Sequence, residues 1–126
     1  NGASVSILVM TTDKNSVLQN SDFISVNVSG KEEVLNRNDF ELMKNGAGVI
    51  NCARGGVVNE NDLLSYLNNG KISFAGIDVF VGEPNPREDL LKHPRVSLSP
   101  HIAASTLEGQ QRIGNEVADI IINFFK

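Results

Sequence analysis

Apolar and polar residues along this chain form blocks that predict short strands separated by helices. The apolar blocks that predict strands are residues 5–10, 23–28, 48–52, 74–79 and 96–99. Helices are predicted at residues 38–43, 59–69 and 106–125. Strands that are apolar almost throughout and alternate with helices favour a parallel sheet covered on both faces.

The ends of the predicted helices are marked by residues that can cap them. The predicted N-terminal caps are Asn38, then Asn59 with Asp62 as a capping box, then Ser105 with Glu108 as a second box. Gly70 is a predicted C-terminal stop. In the second helix the residues predicted to face inward are Leu63, Leu64 and Leu67, and in the third the residues predicted to share one face are Ile113, Val117, Ile121 and Phe124. The apolar end of the third helix, residues 120–125, suggests contact with an absent substrate domain or a partner.

The composition indicates one domain or part of one, and it argues against several classes of partner. The 126 residues include 11 basic and 15 acidic side chains, for a net charge of -4. No stretch gathers Lys and Arg as nucleic-acid binding requires, and no apolar run is long enough to span a membrane. Cys52 is the only cysteine, so no disulfide or metal site is predicted and a cytoplasmic location is favoured.

Chemistry is expected where polar residues follow the strands, because parallel sheets bind ligands beyond the carboxyl ends of their strands. Arg54 follows the third predicted strand and suits a carboxylate ligand, although an ordinary loop arginine is an equally good interpretation. Asp78 lies inside the apolar stretch of the fourth predicted strand, near its end, where it caps a backbone amide or accepts a hydrogen bond from a cofactor amide. Glu83, in the loop that follows, is by default a solvated carboxylate.

Two histidines occur in the chain, and their positions predict different roles. His101 lies between the last predicted strand and the last helix, which makes it the best acid–base candidate. His93 lies in a polar loop before a strand and is predicted to be a surface residue.

Four segments in order resemble the D-isomer-specific 2-hydroxyacid dehydrogenases. They are residues 50–58 (Ile-Asn-Cys-Ala-Arg-Gly-Gly-Val-Val), 75–80 (Ala-Gly-Ile-Asp-Val-Phe), 82–84 (Gly-Glu-Pro) and 100–106 (Pro-His-Ile-Ala-Ala-Ser-Thr). The match runs from about Ser21 to the end of the chain, and four linked motifs are far more specific than one. The resemblance implies a partial doubly wound, Rossmann-like α/β fold, with residues 1–126 as part of an NAD-binding domain.

The branch of the family is suggested by the segment that contains His101. Residues 101–106, followed by Glu-Gly-Gln-Gln-Arg at 108–112, are most similar to the branch that acts on 3-phosphoglycerate. Selectivity in the family depends heavily on a substrate domain that this chain does not include. Glyoxylate or hydroxypyruvate and D-lactate therefore stay open as substrates.

The resemblance implies Arg54, Glu83 and His101 as the catalytic residues. Arg54 is implied to bind the carboxylate and carbonyl side of the substrate, and His101 to exchange the hydroxyl proton while NAD takes the hydride. Glu83 is implied to pair with His101. This agrees with elementary chemistry, because a carboxylate that stabilises imidazolium makes the histidine a better base.

The resemblance also implies a set of contacts to NAD, with Asp78 beside the nicotinamide amide. The implied cofactor-binding residues are Val28, Ser29, Cys52, Ala53, Arg54, Asp78, His101, Ala103 and Ala104. The sequence departs from the family at residues 27–30, where a histidine and then a proline are usual. The contacts of Val28 and Ser29 therefore rest on a weaker match than the others.

The glycine fingerprint of dinucleotide-binding folds, Gly-x-Gly-x-x-Gly, does not occur in the chain. The strand and helix that cradle the pyrophosphate are therefore expected to be missing. Segment 5–10 or a second copy of the chain is predicted to fill the resulting gap in the sheet. Asp13 is predicted to be a turn or helix cap. A start at Asn1-Gly2-Ala3 fits a piece of a longer protein better than a signal peptide.

Two classes of function are expected. The first is a piece of an NAD-dependent oxidoreductase, and the second is a non-catalytic dinucleotide-binding or oligomerisation module of the same fold. The complete set of acid–base residues favours the first. The expected partners are a small 2-hydroxy or 2-keto acid and a second copy in a dimer, with neither nucleic acid nor membrane. Activity of the isolated chain stays open, because pyrophosphate binding and the substrate cleft need further residues.

Overall fold

The computed structural model describes residues 10–126, in which strands and helices alternate. The strands are β1 (Phe23–Val26), β2 (Ala47–Asn51), β3 (Ile72–Ile77) and β4 (Val96–Leu98). The helices are α1 (Lys14–Asn20), α2 (Arg37–Leu42), α3 (Glu60–Asn68), α4 (Glu88–Leu91) and α5 (Leu107–Phe124). The strand predicted at 5–10 lies outside the described residues except for Met10, which is exposed and belongs to no strand.

The four strands form one parallel sheet in the order β1-β2-β3-β4. Ile24 pairs with Val49, Val49 with Ala75, and Ala75 with Val96. The prediction of an α/β fold with a parallel sheet is confirmed. Since all four strands run in the same direction, the loops that follow them leave from one edge of the sheet, where ligands of such folds bind.

The strand predicted at 74–79 is shifted toward the N-terminus by two residues. Its first residue, Ile72, pairs with Ala47. At the other end, the Asp78 N–H still donates to the Asn51 carbonyl oxygen at 3.0 Å, but Asp78 no longer belongs to the strand. Its side chain bonds instead to the loop after β4. The apolar pattern alone does not show that Asp78 leaves the strand and that its side chain binds this loop.

The prediction that the sheet is covered on both faces is wrong for the described residues. A strand order of 1-2-3-4 with right-handed crossovers puts every connecting helix on the same face. Ile24 and Val26 are buried beneath that helical layer, whereas Phe23 on the opposite face is 65% exposed. The ring of Phe74 packs against Phe23 across Gly48, where a Cβ atom would overlap the Phe74 ring.

The hydrophobic core lies between the sheet and the helical layer. The predicted inward residues of α3, Leu63, Leu64 and Leu67, are all buried, so this prediction is confirmed. Each fully buried side chain of this size contributes roughly 1.5–3 kcal/mol relative to an exposed one. This core fixes the strand ends from which the site loops leave.

Helix α1 was not predicted from the sequence. Its N-cap is Asp13, whose carboxylate accepts hydrogen bonds from the Ser16 N–H at 3.0 Å and from the Ser16 hydroxyl at 2.6 Å. The prediction that Asp13 is a cap is therefore confirmed. Leu18 is the residue of α1 that is buried in the core, and one such residue is too weak a periodic signal to predict a helix.

Two other helices begin at a residue different from the one predicted. The N-cap of α2 is Asn36 rather than Asn38, because the side chain of Asn36 accepts from the Asn38 N–H while the Asp39 carboxylate accepts from the Asn36 N–H. The N-cap of α5 is Thr106 rather than Ser105, since the Thr106 hydroxyl accepts from the Gly109 N–H at 3.0 Å.

Helix α3 begins at the predicted cap but without the predicted box. The side chain of Asn59 accepts from the N–H groups of Asn61 and Asp62, as expected for an N-cap. The Asp62 carboxylate accepts from the Arg37 N–H at 2.8 Å and so ties α3 to the start of α2.

The predicted apolar face of the last helix is exposed within the described part of the chain. Its four residues are 49–80% exposed, namely Ile113, Val117, Ile121 and Phe124. Helix α5 is therefore amphipathic, as predicted, but its apolar face meets solvent among residues 10–126. No helix in this range is both long and apolar enough to cross a membrane.

Candidate active site

The candidate site is built from the loops that follow β2, β3 and β4 at the carboxyl edge of the sheet. These loops carry Arg54, Glu83 and His101, respectively. The strand register brings the three loops side by side, because β3 pairs with both β2 and β4. Distant segments of the sequence thus meet at one edge.

His101 and Glu83 form a direct pair. The Nδ1 atom of His101 lies 2.9 Å from Oε2 of Glu83, and the two side chains are 50% and 35% exposed. The other carboxylate oxygen of Glu83 accepts from the Phe80 N–H at 2.8 Å. The hydrogen bond from His101, followed by the one from Phe80, lowers the pKa of Glu83 below its ordinary value. Glu83 is therefore ionised near neutral pH and holds the Nδ1–H tautomer of His101.

Asp78 holds the loop on both sides of His101. Its carboxylate, only 3% exposed, accepts from the Ser99 hydroxyl at 2.6 Å and from the N–H groups of Ile102 and Ala103 at 2.9 Å each. Burial raises the pKa of Asp78, but these hydrogen bonds outweigh burial and the pKa lies below its ordinary value. Asp78 therefore caps two backbone amides, which is one of its two predicted roles.

His101 has a backbone conformation that is unusual for a residue other than glycine. Its φ angle is +57°, in the left-handed region, which costs roughly 1–2 kcal/mol in an L-residue. The three hydrogen bonds to Asp78 come from residues just before and just after it, and they stabilise this conformation. The turn directs the ring toward Glu83.

Arg54 lies in the adjacent loop without contacting the pair. Its side chain is exposed, and its Nη1 atom donates to the Ala53 carbonyl oxygen at 2.6 Å. The buried side chain of Asn51 shapes this loop by accepting from the Ala53 N–H and donating to the Arg54 carbonyl oxygen. The structure brings Glu83 and His101 together, whereas the Arg54 guanidinium is turned back onto its own loop.

The loops after β2 and β3 touch at Gly55. A Cβ atom built on Gly55 would overlap the carbonyl oxygen of Phe80, so only glycine fits there. The Arg54 loop is thereby packed against the loop that carries Glu83.

This close approach predicts that Gly55→Ala lowers the free energy of unfolding by about 1–3 kcal/mol, because two backbone segments must separate. Urea denaturation followed by circular dichroism measures the change. Gly114→Ala is the matched control, since nothing lies within 4 Å of a Cβ there and alanine in an exposed helix is favourable. An equal loss of stability in both variants would contradict the proposed contact.

A pocket of about 420 Å³ opens beside the His101–Glu83 pair. The rest of its lining is mostly apolar and includes Phe80, Pro84, Pro86, Leu91 and Leu98. Arg54 is not among its lining residues. The acid–base pair therefore has one side available to a small molecule.

The remaining residues implied as cofactor contacts lie around the same edge. Val28, Ser29, Ala103 and Ala104 are exposed, Cys52 is half-buried and Ala53 is buried.

His93 is half-buried, with Nε2 3.3 Å from the side-chain oxygen of Asn68 and Nδ1 accepting from the Arg95 N–H. These contacts identify His93 as a structural residue away from the pair.

Three residues that shape the site were not singled out from the sequence: Asn51, Glu60 and Ser99. Each binds a neighbouring loop, and Asn51 and Glu60 are buried. Asn51 and Ser99 are polar residues at strand ends, a signal that could have identified them. Glu60 gave no such signal, because an acidic residue in the first turn of a helix is ordinary.

Comparison with known proteins defines the class to which this chain belongs. Residues 4–103 match the family model described as the D-isomer specific 2-hydroxyacid dehydrogenase, NAD binding domain. The chain belongs to this family, as its motifs predicted.

Within the family, similar relatives include several D-3-phosphoglycerate dehydrogenases. The one from Archaeoglobus fulgidus is 40% identical over 122 residues, which cover 94% of this chain and 23% of the relative. The human one is 41% identical over 108 residues, which cover 83% of this chain and 20% of the relative. The chain thus spans about a fifth to a quarter of the length of these relatives.

Solved structures support the same fold. A glyoxylate/hydroxypyruvate reductase from Sinorhizobium meliloti, described as NADPH-dependent, matches with a TM-score of 0.78 and 31% identity, covering 90% of this chain and 37% of that one. A D-isomer specific 2-hydroxyacid dehydrogenase from Polaromonas, described as putative, matches with a TM-score of 0.78 and 28% identity, covering 89% and 36%. The partial Rossmann-like fold is thereby confirmed.

Proposed function

We propose that this chain carries the proton-transfer part of an NAD-dependent dehydrogenase that acts on D-2-hydroxy acids, with 3-phosphoglycerate as the substrate. The observation that carries the proposal is the His101–Glu83 pair at the carboxyl edge of the sheet, open on one side to a pocket. Family membership and the names of the similar relatives support the reaction class and the substrate. Residues 1–126 are proposed to form part of the NAD-binding domain.

In this proposal His101 moves the proton. Its Nδ1 atom is engaged by Glu83, which leaves Nε2 for the substrate hydroxyl. During oxidation Nε2 accepts the hydroxyl proton, and the ionised Glu83 stabilises the resulting imidazolium. During reduction the same nitrogen returns the proton to the carbonyl oxygen. NAD, when bound, takes or gives the hydride on the substrate carbon.

The residues present fit the nicotinamide end of NAD better than its pyrophosphate. Around the site edge, Ser29, Ala103 and Ala104 are exposed and have small side chains, and the hydroxyl of Ser29 offers a hydrogen-bonding group. Such a surface suits the nicotinamide and its ribose. The residues we propose to line this end are Val28, Ser29, Cys52, Ala53, Arg54, Asp78, His101, Ala103 and Ala104. No Gly-x-Gly-x-x-Gly is available to cradle a pyrophosphate.

Arg54 is proposed to bind the substrate carboxylate through its planar guanidinium. To do so it must leave the Ala53 carbonyl oxygen, to which it now donates. None of the residues that line the pocket beside His101 is Lys or Arg. We therefore expect a substrate phosphate to be held outside this pocket.

The role of Arg54 is tested by Arg54→Lys in the natural gene product that carries this sequence. Loss of the bidentate contact is expected to lower kcat/KM for the acid by roughly 10–100-fold, because hydrogen bonds to charged groups contribute about 1.5–3 kcal/mol. Arg37→Lys is the control, since Arg37 is exposed and pairs with Glu41 away from the site. Unchanged kcat/KM in Arg54→Lys would exclude the proposed role.

We also propose a homodimer in a reducing compartment such as the cytoplasm. Strand β1 is an edge strand of the sheet formed by the described residues. The apolar residues of α5 are exposed in the same part of the chain. Both features favour assembly with a second copy. The unpaired, half-buried Cys52 suits a reducing compartment.

A further inference from the structure

Glu60 is a buried carboxylate outside the catalytic set, and it contacts the loop that carries Glu83. It is the first residue of α3 and only 9% exposed. Its Oε1 atom accepts a hydrogen bond from the Val81 N–H at 2.7 Å. Val81 lies between Phe80, whose N–H binds Glu83, and Glu83 itself. Glu60 therefore holds the backbone within the turn that places the Glu83 carboxylate.

A second contact connects the same two segments. Gly55, in the loop that leads to α3, packs against the backbone of Phe80 and Val81. The start of α3 and the Glu83 loop are thus in contact through one hydrogen bond and one close backbone approach. A buried carboxylate is unfavourable unless it is hydrogen-bonded or paired with an opposite charge. The bond to Val81 supplies the hydrogen bond. Arg87, whose pKa is raised first by Asp89 and also by Glu60, lies close enough to supply the charge.

We propose that Glu60 is a positioning residue for the acid–base pair, because its carboxylate fixes the Val81 amide and thereby holds Glu83 against His101. The functional meaning of this role rests on the proposed function of the pair. The geometry itself is independent of turnover and is measurable on the chain without substrate.

An ordinary explanation for Glu60 is the favourable interaction of an acidic side chain with the N-terminal end of a helix dipole. Asp62 lies in the same first turn of α3 and has the same sign of charge. It also accepts a backbone N–H, but that of Arg37, on the side of α2. Asp62 therefore shares the charge and the type of bond with Glu60 but not the contact with the Glu83 loop.

Two substitutions separate the effect of the Glu60 charge from the effect of its hydrogen bond to Val81. Glu60→Asp keeps the negative charge at the helix start but shortens the side chain, so the bond to Val81 is lost. Glu60→Gln removes the charge but keeps a side-chain oxygen that can accept from Val81. A positioning role predicts that the first variant disturbs the pair and the second does not, whereas a dipole role alone predicts that neither variant disturbs the pair.

The readout is the pKa of Glu83, followed by carbon NMR of its carboxyl group during a pH titration of the chain. In Glu60→Asp the pKa of Glu83 is expected to rise toward its ordinary value, because its hydrogen bonds from His101 and Phe80 weaken. In Glu60→Gln it is expected to stay low. Amide exchange of Val81, measured on the same samples, is expected to accelerate in Glu60→Asp and not in Glu60→Gln.

Asp62→Asn is the matched control and is expected to leave the pKa of Glu83 unchanged. The proposal is overturned if Glu60→Asp leaves the pKa of Glu83 unchanged, if Glu60→Gln raises it, or if Asp62→Asn raises it as much as Glu60→Asp does. If Glu60→Asp does not fold, Glu60→Leu, which cannot accept a hydrogen bond from Val81, takes its place, and an unchanged pKa of Glu83 in that variant overturns the proposal. Lack of dehydrogenase activity in the gene product would contradict the proposed function and leave this test of geometry standing.

Discussion

Replacement of His101 by alanine is expected to lower turnover by about 10²–10⁴-fold, the range that a positioned acid–base group contributes. The variant removes the imidazole that is hydrogen-bonded to Glu83, and with it the acceptor proposed for the hydroxyl proton. NADH binding is expected to remain, because the proposed cofactor contacts near His101 come mainly from backbone groups. Steady-state kinetics and NADH fluorescence titration of the gene product measure both effects.

His93→Ala is the matched control for this variant. His93 bonds to Asn68 and to the Arg95 N–H, away from the pair, so its loss is expected to leave kcat nearly unchanged. Equal activity of His101→Ala and the wild-type protein would refute the proposed proton transfer. A loss of NADH binding as large as the loss of turnover would show that His101 acts through the cofactor instead.

Replacement of Asp78 by asparagine is expected to lower the free energy of unfolding by roughly 2–4 kcal/mol, because buried donors lose a charged acceptor. Asparagine has nearly the same shape, but its NH₂ group must face at least one of the donors that now bind Asp78. Those donors are the Ser99 hydroxyl and the N–H groups of Ile102 and Ala103. Urea denaturation measures the loss, and an unchanged midpoint would contradict the assigned contacts.

The same variant is expected to change how stability depends on pH. The folded pKa of Asp78 lies below its ordinary value of 3.8, so its contribution is fully present above that value and is lost as pH falls through the folded pKa. Asp78→Asn should therefore weaken the loss of stability in acid. Asp89→Asn is the control: the pKa of Asp89 is also lowered, by Arg87, but this pair is more exposed and contributes little to stability.

The location of the site could be predicted from the sequence, because strand ends are visible as the points where apolar runs stop. That pattern, together with the family resemblance, predicts three catalytic residues, namely Arg54, Glu83 and His101. The structure shows that Glu83 and His101 are in contact. Their contact depends on the pairing of β3 with β4 and on the loop conformations, which no local pattern in the sequence shows.

Other features depend on which of several possible partners a residue takes in the folded chain, and the sequence pattern does not show this choice. Asp78 has two plausible acceptor roles in sequence, and only the fold shows that the residues around His101 bind it. Thr106 and Ser105 are both good caps, and the position of Gly109 decides between them. The apolar strands predict that both faces of the sheet are covered by helices, whereas the strand order puts the connecting helices on one face.

The most direct test of the central claim is to follow NADH formation by the gene product with NAD and either D- or L-2-hydroxy acids, beginning with 3-phosphoglycerate. Formation of NADH from the D-acid, and its near-complete loss in Glu83→Gln, is the result expected if His101 transfers the proton and Glu83 stabilises its imidazolium. No NADH from any D-2-hydroxy acid, or equal rates in Glu83→Gln and the wild-type protein, would contradict it.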